Sequence, residues 1–142
     1  MITLLTVLVT GLLASDRPAI VVQALDSPVR IDRATILAAT DGPPVLLYSA
    51  TNLTDDNLDQ FTVMAFIFDA QGTLKARQVA PARFTLDARN SKYSAMVLDG
   101  FAIDATHVIV VGVNQAQRAG SDVWWRADLQ AAAEGAVKPK AP

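Results

Sequence analysis

The sequence predicts an all-β domain: an antiparallel β-sandwich of about seven strands, with a short C-terminal helix and an N-terminal signal segment. Three observations carry this reading. From Ser27 onward, short runs rich in Val, Ile, Phe and Tyr are separated by Gly, Asn, Asp and Pro, and no long helical pattern interrupts them. Apolar residues make up 51% of the 142 and charged ones only 18%, a composition that buries a core and lies far from disorder. Two of the runs are oily on both faces. Phe61, Val63, Ala65 and Ile67 point one way while Met64, Phe66 and Phe68 point the other, and Val108, Ile109, Val110, Val111 and Val113 repeat the pattern.

The N-terminal run "MITLLTVLVTGLLA" carries no charge and is shorter than the roughly 20 residues of a membrane span. Its length suits the apolar region of a secretory signal, with Val22-Gln23-Ala24 as the small-x-small cleavage site, so residues 1–24 are expected to be a signal peptide. The competing reading is a buried N-terminal strand or helix of the mature domain. Ser15 stands where a lipoprotein would need cysteine, so no stable membrane anchor is expected after cleavage.

Strands are expected at 29–39, 44–52, 60–69, 73–80, 91–98, 106–117 and 122–125. "TDGP" at 40–43, "DAQG" at 69–72 and "RAGS" at 118–121 supply the turns. From Arg126, "RADLQAAAEG" is helical by propensity, with Gly135 as a stop, and "VKPKAP" follows as a loose tail. Ser121 as an N-cap would instead start the helix early and carry Trp124 and Trp125 on it. The sandwich domain is placed at 27–126 and the helix and tail at 127–142.

The stretch from Tyr48 through "ATNLTDDNLDQFTVMAFIFDAQGTLKARQV", with "KYSAMVLDG" and "THVIVVGV" after it, resembles bacterial immunoglobulin-like or fibronectin-type-III-like domains, including the FxLYD-type modules of exported proteins. Ile67-Phe68-Asp69 match that family's Leu-Tyr-Asp, and Ala65 stands where it has Phe. The likeness covers roughly Val29 to Trp125. It implies an immunoglobulin-like sandwich in a periplasmic or extracellular accessory module, without catalytic residues.

Composition excludes several function classes. Twelve Lys and Arg against fourteen Asp and Glu offer no general attraction to nucleic acid. Without cysteine there is no disulfide, thiolate nucleophile, zinc finger or iron–sulfur ligation. His107 is the single histidine, and no nucleophile elbow or phosphate loop occurs, so no catalytic residue and no cofactor are expected. Asp55, Asn57 and Asp59 have the every-second-residue spacing that opens a calcium loop, but Gln60 and Phe66 replace its Gly and Glu. A solvated loop, or at most a weak calcium site, is expected there.

Two surfaces remain as candidates. The outer face of the two-sided strands, with Met64, Phe66, Phe68, Trp124 and Trp125, must be covered by the C-terminal segment, by another protein or by a second copy of the chain. Lys75, Arg77, Arg83, Arg89 and Lys92 make a stretch of bases that reads either as a solvated face or as a basic partner-facing strip. The expected function is thus a non-enzymatic exported accessory or interaction module.

Overall fold

Residues 16–82 and 85–138 are described by the computed structural model, and they form nine strands and one helix. The strands are β1 (Arg17–Pro18), β2 (Ile20–Val21), β3 (Val29–Leu37), β4 (Val45–Asn52), β5 (Leu58–Phe68), β6 (Leu74–Ala82), β7 (Ser91–Val97), β8 (Val108–Arg118) and β9 (Trp124–Arg126), and the helix is α1 (Gln130–Val137). One sheet runs β1-β3-β4-β7; the other runs β2-β8-β5-β6, with β9 also on β8. The two sheets form a β-sandwich. Each of the seven expected strands has a counterpart.

Alternation along the strands sets the core, and bulges correct it where the sequence slips. In β3, Val29 and Ile31 face inward, and so do Ala34 and Ile36, because a bulge between Ile31 and Arg33 takes up the extra residue. In β5 a register shift between Leu58 and Gln60 does the same, so Leu58 shares the core with Phe61, Val63, Ala65 and Ile67. Leu46, Tyr48, Ala50 and Met96 meet them from the opposite sheet. Burial pushes the Tyr48 hydroxyl above the usual tyrosine range, against a hydrogen bond to Ser94 that pulls it down.

The outer face of the β5–β8 pair is a second core. Phe66, Phe68 and Val110 are buried there with Leu129 and Ala133, and Met64, Val22, Ala24 and Val137 pack around them. The chain supplies this cover from both ends: α1 lies across the sheet, and the stretch before β3 comes up beside it. The edge of β8 is shared in the same way. Ile20 and Val21 pair in parallel with Val110 and Val111, whereas Trp124 to Arg126 pair antiparallel with Gln115 to Gln117. Between them, Val22 N–H donates to Val111 O at 2.9 Å and Ala127 N–H to Asn114 O at 3.0 Å.

Gly112 lies where these segments converge. A Cβ on it would be 2.6 Å from Leu129 Cδ1 and 2.8 Å from the Val22 carbonyl oxygen, closer than real Cβ contacts come. An unsubstituted residue lets both segments approach the sheet.

The structure departs from the sequence reading in three places. Residues 17–24, expected in a signal peptide, form β1 and β2 and contribute to the second core, because Ile20, Val21 and Val22 find partners on β8. A boundary after Ala24 therefore cuts a packed segment; residues 1–15 lie outside the described residues. The helix starts later than expected and runs through Gly135, which does not stop it. Trp124 and Trp125 lie in neither the helix nor the outer cover: they form β9, on the edge of β8.

Candidate functional site

The loops at the β5-start end of the sandwich are fastened by asparagine. Asn52, last residue of β4, is fully buried and uses both ends of its amide. Its Nδ2 donates to Asp56 O (2.7 Å) and Leu86 O (3.0 Å), while its Oδ1 accepts from Thr54 N–H (2.9 Å) and the Thr54 hydroxyl (2.7 Å). Asn57 Oδ1 accepts from Ala88 N–H at 2.9 Å, and its carbonyl accepts from Ala119 N–H. Asp55 pairs with Arg89 at 2.9 Å and Asp56 with Arg118 at 3.2 Å. The hydrogen bond and charge of Arg89 hold the Asp55 carboxyl below the ordinary carboxylate range.

These bonds define the "TDDNLD" stretch as loop wiring. Among the described residues, no group of three or more His, Asp or Glu side chains is placed to hold a metal ion.

Beside this loop lies a cleft of about 510 Å³, within the usual range for ligand sites. Trp124 and Trp125 both line it, and Leu53, Leu58 and Pro28 add apolar surface. Asp26, Thr54, Arg118 and Ser121 bring polar groups. Sequence and turn chemistry put the tryptophans there. Gly120, at φ +75°, closes the β8–β9 hairpin, where Gln117 Nε2 donates to Ser121 O at 2.7 Å and the Ser121 hydroxyl accepts from Val123 N–H at 3.1 Å.

Trp125 leans on the main core, yet its indole Nε1 is buried without a hydrogen-bond partner among the described residues. The rim is apolar and unguarded: Val123 is 76% exposed, and Leu25, next to the lining Asp26, is fully exposed. Asp55 and Asp56 have arginine partners, but Asp26 and Asp122 have no ion-pair partner among the described residues.

The other expected site residues are dispersed. Met64, Phe66 and Phe68 belong to the closed second core, at a distance along β5 from the tryptophans, so the five do not share a face. Lys75 and Arg77 are exposed on β6, where Arg77 Nη1 donates to Gln130 Oε1 of α1 at 3.1 Å. Arg89 sits with Asp55 at the cleft end, and Lys92 Nζ donates to Thr85 O at 2.7 Å. Arg83 lies outside the described residues. The four described bases thus divide between two regions of the surface and form no continuous strip.

His107 is at the end opposite the cleft. Its Nδ1 accepts from Asp104 N–H at 3.0 Å, its ring meets Phe101 edge to face, and the Arg17 guanidinium donates to the carbonyls of Asp104, Ala105 and His107. The Thr106 hydroxyl and N–H keep the Asp104 carboxyl below its usual range. This is a tied turn.

Sequence reasoning named Asn57 only as a position of a calcium-like loop, and it did not find Asn52 or the cleft. The available signal was an Asn at the end of an apolar strand, followed by "LTDDN". Comparison with family models, curated proteins and solved structures gave no match.

Proposed function

We propose that the chain is a non-enzymatic exported module of the immunoglobulin-like or fibronectin-type-III-like kind, and that it meets its partner at the Trp124–Trp125 cleft. The strand order supports the family reading. A β3–β4 hairpin in one sheet is followed by a β5–β6 hairpin in the other, β7 returns to pair with β4, and β8 crosses back to lie between β5 and β9. Accessory modules of that kind present loops at the ends of a rigid sandwich.

One observation carries the choice of surface. The oily sheet face is filled by the chain's own Leu129, Ala133 and Val22, whereas the cleft keeps two half-buried tryptophans and apolar lips open to a partner. Export rests on the uncharged run before Ser15, and the reading is refined by the packing of residues 17–24. A leader that ends before Asp16 leaves the sandwich whole.

Two measurements test this reading. N-terminal sequencing of envelope material from the native host should start close to Asp16; Met1 on soluble cytoplasmic protein would overturn export, and a start at Leu25 would overturn the boundary. A photo-cross-linking residue at Val123 should give covalent adducts in the envelope that the same probe at Lys75 does not. Equal or absent adducts would remove the cleft as the partner site.

A further inference from the structure

We infer that the cleft of one copy takes the segment Lys138-Pro139-Lys140-Ala141-Pro142 of another, so that copies associate head to tail. The inference rests on the cleft being the partner surface. Its occupant is named by chemistry and reach.

The segment holds two prolines and two lysines in five residues. Proline fixes its own φ and restricts the residue before it to extended conformations. Lys138 leaves α1 at φ −71° and ψ 137°, which is polyproline II geometry. A polyproline II strand has no internal hydrogen bonds, so its carbonyls are offered outward, and it loses little freedom on docking.

The cleft supplies what such a strand requires. Pro-rich strands dock in aromatic-lined grooves. Trp124 and Trp125 with Pro28, Leu53 and Leu58 give apolar surface for pyrrolidine rings. Asp26 lines the cleft and Asp122 lies in its hairpin, both without an ion-pair partner among the described residues. Two lysines one residue apart complement them, and an ammonium group is also attracted to an indole face.

Reach excludes docking within one molecule. Leu58 lines the cleft, and β5 runs from it to Phe68, a rise of about 33 Å at strand spacing. The Val137 carbonyl lies past that far end, beside Gly72. Five residues span at most about 18 Å. The contact must therefore form between copies, and a heterologous contact of this kind extends into open chains unless its rotation closes a ring.

The test is sedimentation of the purified chain over a concentration series, beside a chain ending at Val137 and the variant Asp26→Lys/Asp122→Lys. The weight-average mass of the full chain should rise with concentration while the other two stay monomeric. Mixing Asp26→Lys/Asp122→Lys with Lys138→Glu/Lys140→Glu should restore association, which a damaged fold would not. A synthetic Val-Lys-Pro-Lys-Ala-Pro peptide should dissociate the full chain and shift the Trp124 and Trp125 indole NMR signals. A mass that does not respond to removal of residues 138–142, or indole signals unmoved by the peptide, would overturn the inference. Adducts at Val123 containing a different protein and no second copy would overturn it too, while leaving the cleft as the partner surface.

Discussion

Replacing Gly112 with alanine adds one methyl group at the crowded point of the outer layer. The φ of Gly112 is not in the positive range, unlike those of Gly72 and Gly120, so alanine adopts its backbone without strain. The cost is steric. The methyl group would be 2.6 Å from Leu129 Cδ1 and 2.8 Å from Val22 O, where carbon contacts settle near 3.5 to 4.0 Å. Leu129 Cδ1 is the end of a flexible side chain, whereas Val22 is held by its 2.9 Å bond to Val111 O, so β2 must move or that bond must lengthen. Overpacking of this kind costs about 1–3 kcal/mol. Loss of glycine's freedom in the unfolded chain returns about 0.4–1 kcal/mol. The net expectation from the midpoints of these two terms is a loss of roughly 1.3 kcal/mol, read from urea melts followed by circular dichroism. Leu129→Ala alone should cost about 2–5 kcal/mol, and the double variant should cost less than the sum, because the new methyl group enters the space that Leu129 leaves. A Gly112→Ala variant as stable as the parent, with full additivity in the double variant, would refute the packing of both segments against β8.

Phe66→Ala should cost about 3–5 kcal/mol, and much of that effect should vanish in a chain ending before Ala127, since both changes act on the Phe66–Leu129–Ala133 cluster; additive urea melts would oppose this. Asn52→Ala should cost about 2–3 kcal/mol in the same melts, because Leu86 O and Asp56 O lose a buried donor. Acid should weaken the fold. For Asp32, burial raises the pKa, but hydrogen bonds from Thr51 and Arg30 and the charge of Arg30 outweigh it, and Asp55 and Asp104 are lowered as well. A carboxyl lowered in the folded state adds stability above its unfolded pKa of about 3.9, and that stability is lost as pH falls through the folded values. The urea midpoint should thus decline below about pH 4, and Asp32→Asn should flatten the decline. At the alkaline end the sign reverses. The raised Tyr48 hydroxyl favours the folded state below about pH 10, and this contribution is lost as pH rises through the folded value, which absorbance titration of tyrosine would follow.

Where burial alternates along a strand, the sequence was sufficient. Phe61, Val63, Ala65 and Ile67 announce their face, and the oil on the reverse of β5 announces a cover before any cover is known. The rest depended on partners distant in the chain. Ile20 and Val21 read as part of a leader because nothing nearby distinguishes an apolar leader from an edge strand; their pairing with Val110 and Val111 is visible only in the fold. Trp124 and Trp125 looked like cover for the sheet, but the 118–123 hairpin sets them on its edge, and consecutive strand residues face opposite ways. Asn52 shows its role only when Leu86 and Asp56 are in place. The cleft was illegible for the same reason: its walls come from three separated stretches of chain.

The division of one strand edge between the first and last described segments fixes an order of events. A chain emerging from a ribosome or a translocation pore brings out residues 17–24 early, but their partner edge on β8 comes late, and residues 129–137 follow later still. Pairings so distant in sequence slow folding. Until α1 arrives, Phe66, Phe68 and Val110 have no lid, and the growing polypeptide displays an adhesive sheet. α1 thereby acts as a latch on the β5–β8 face, closing the second core only once β8 is in place.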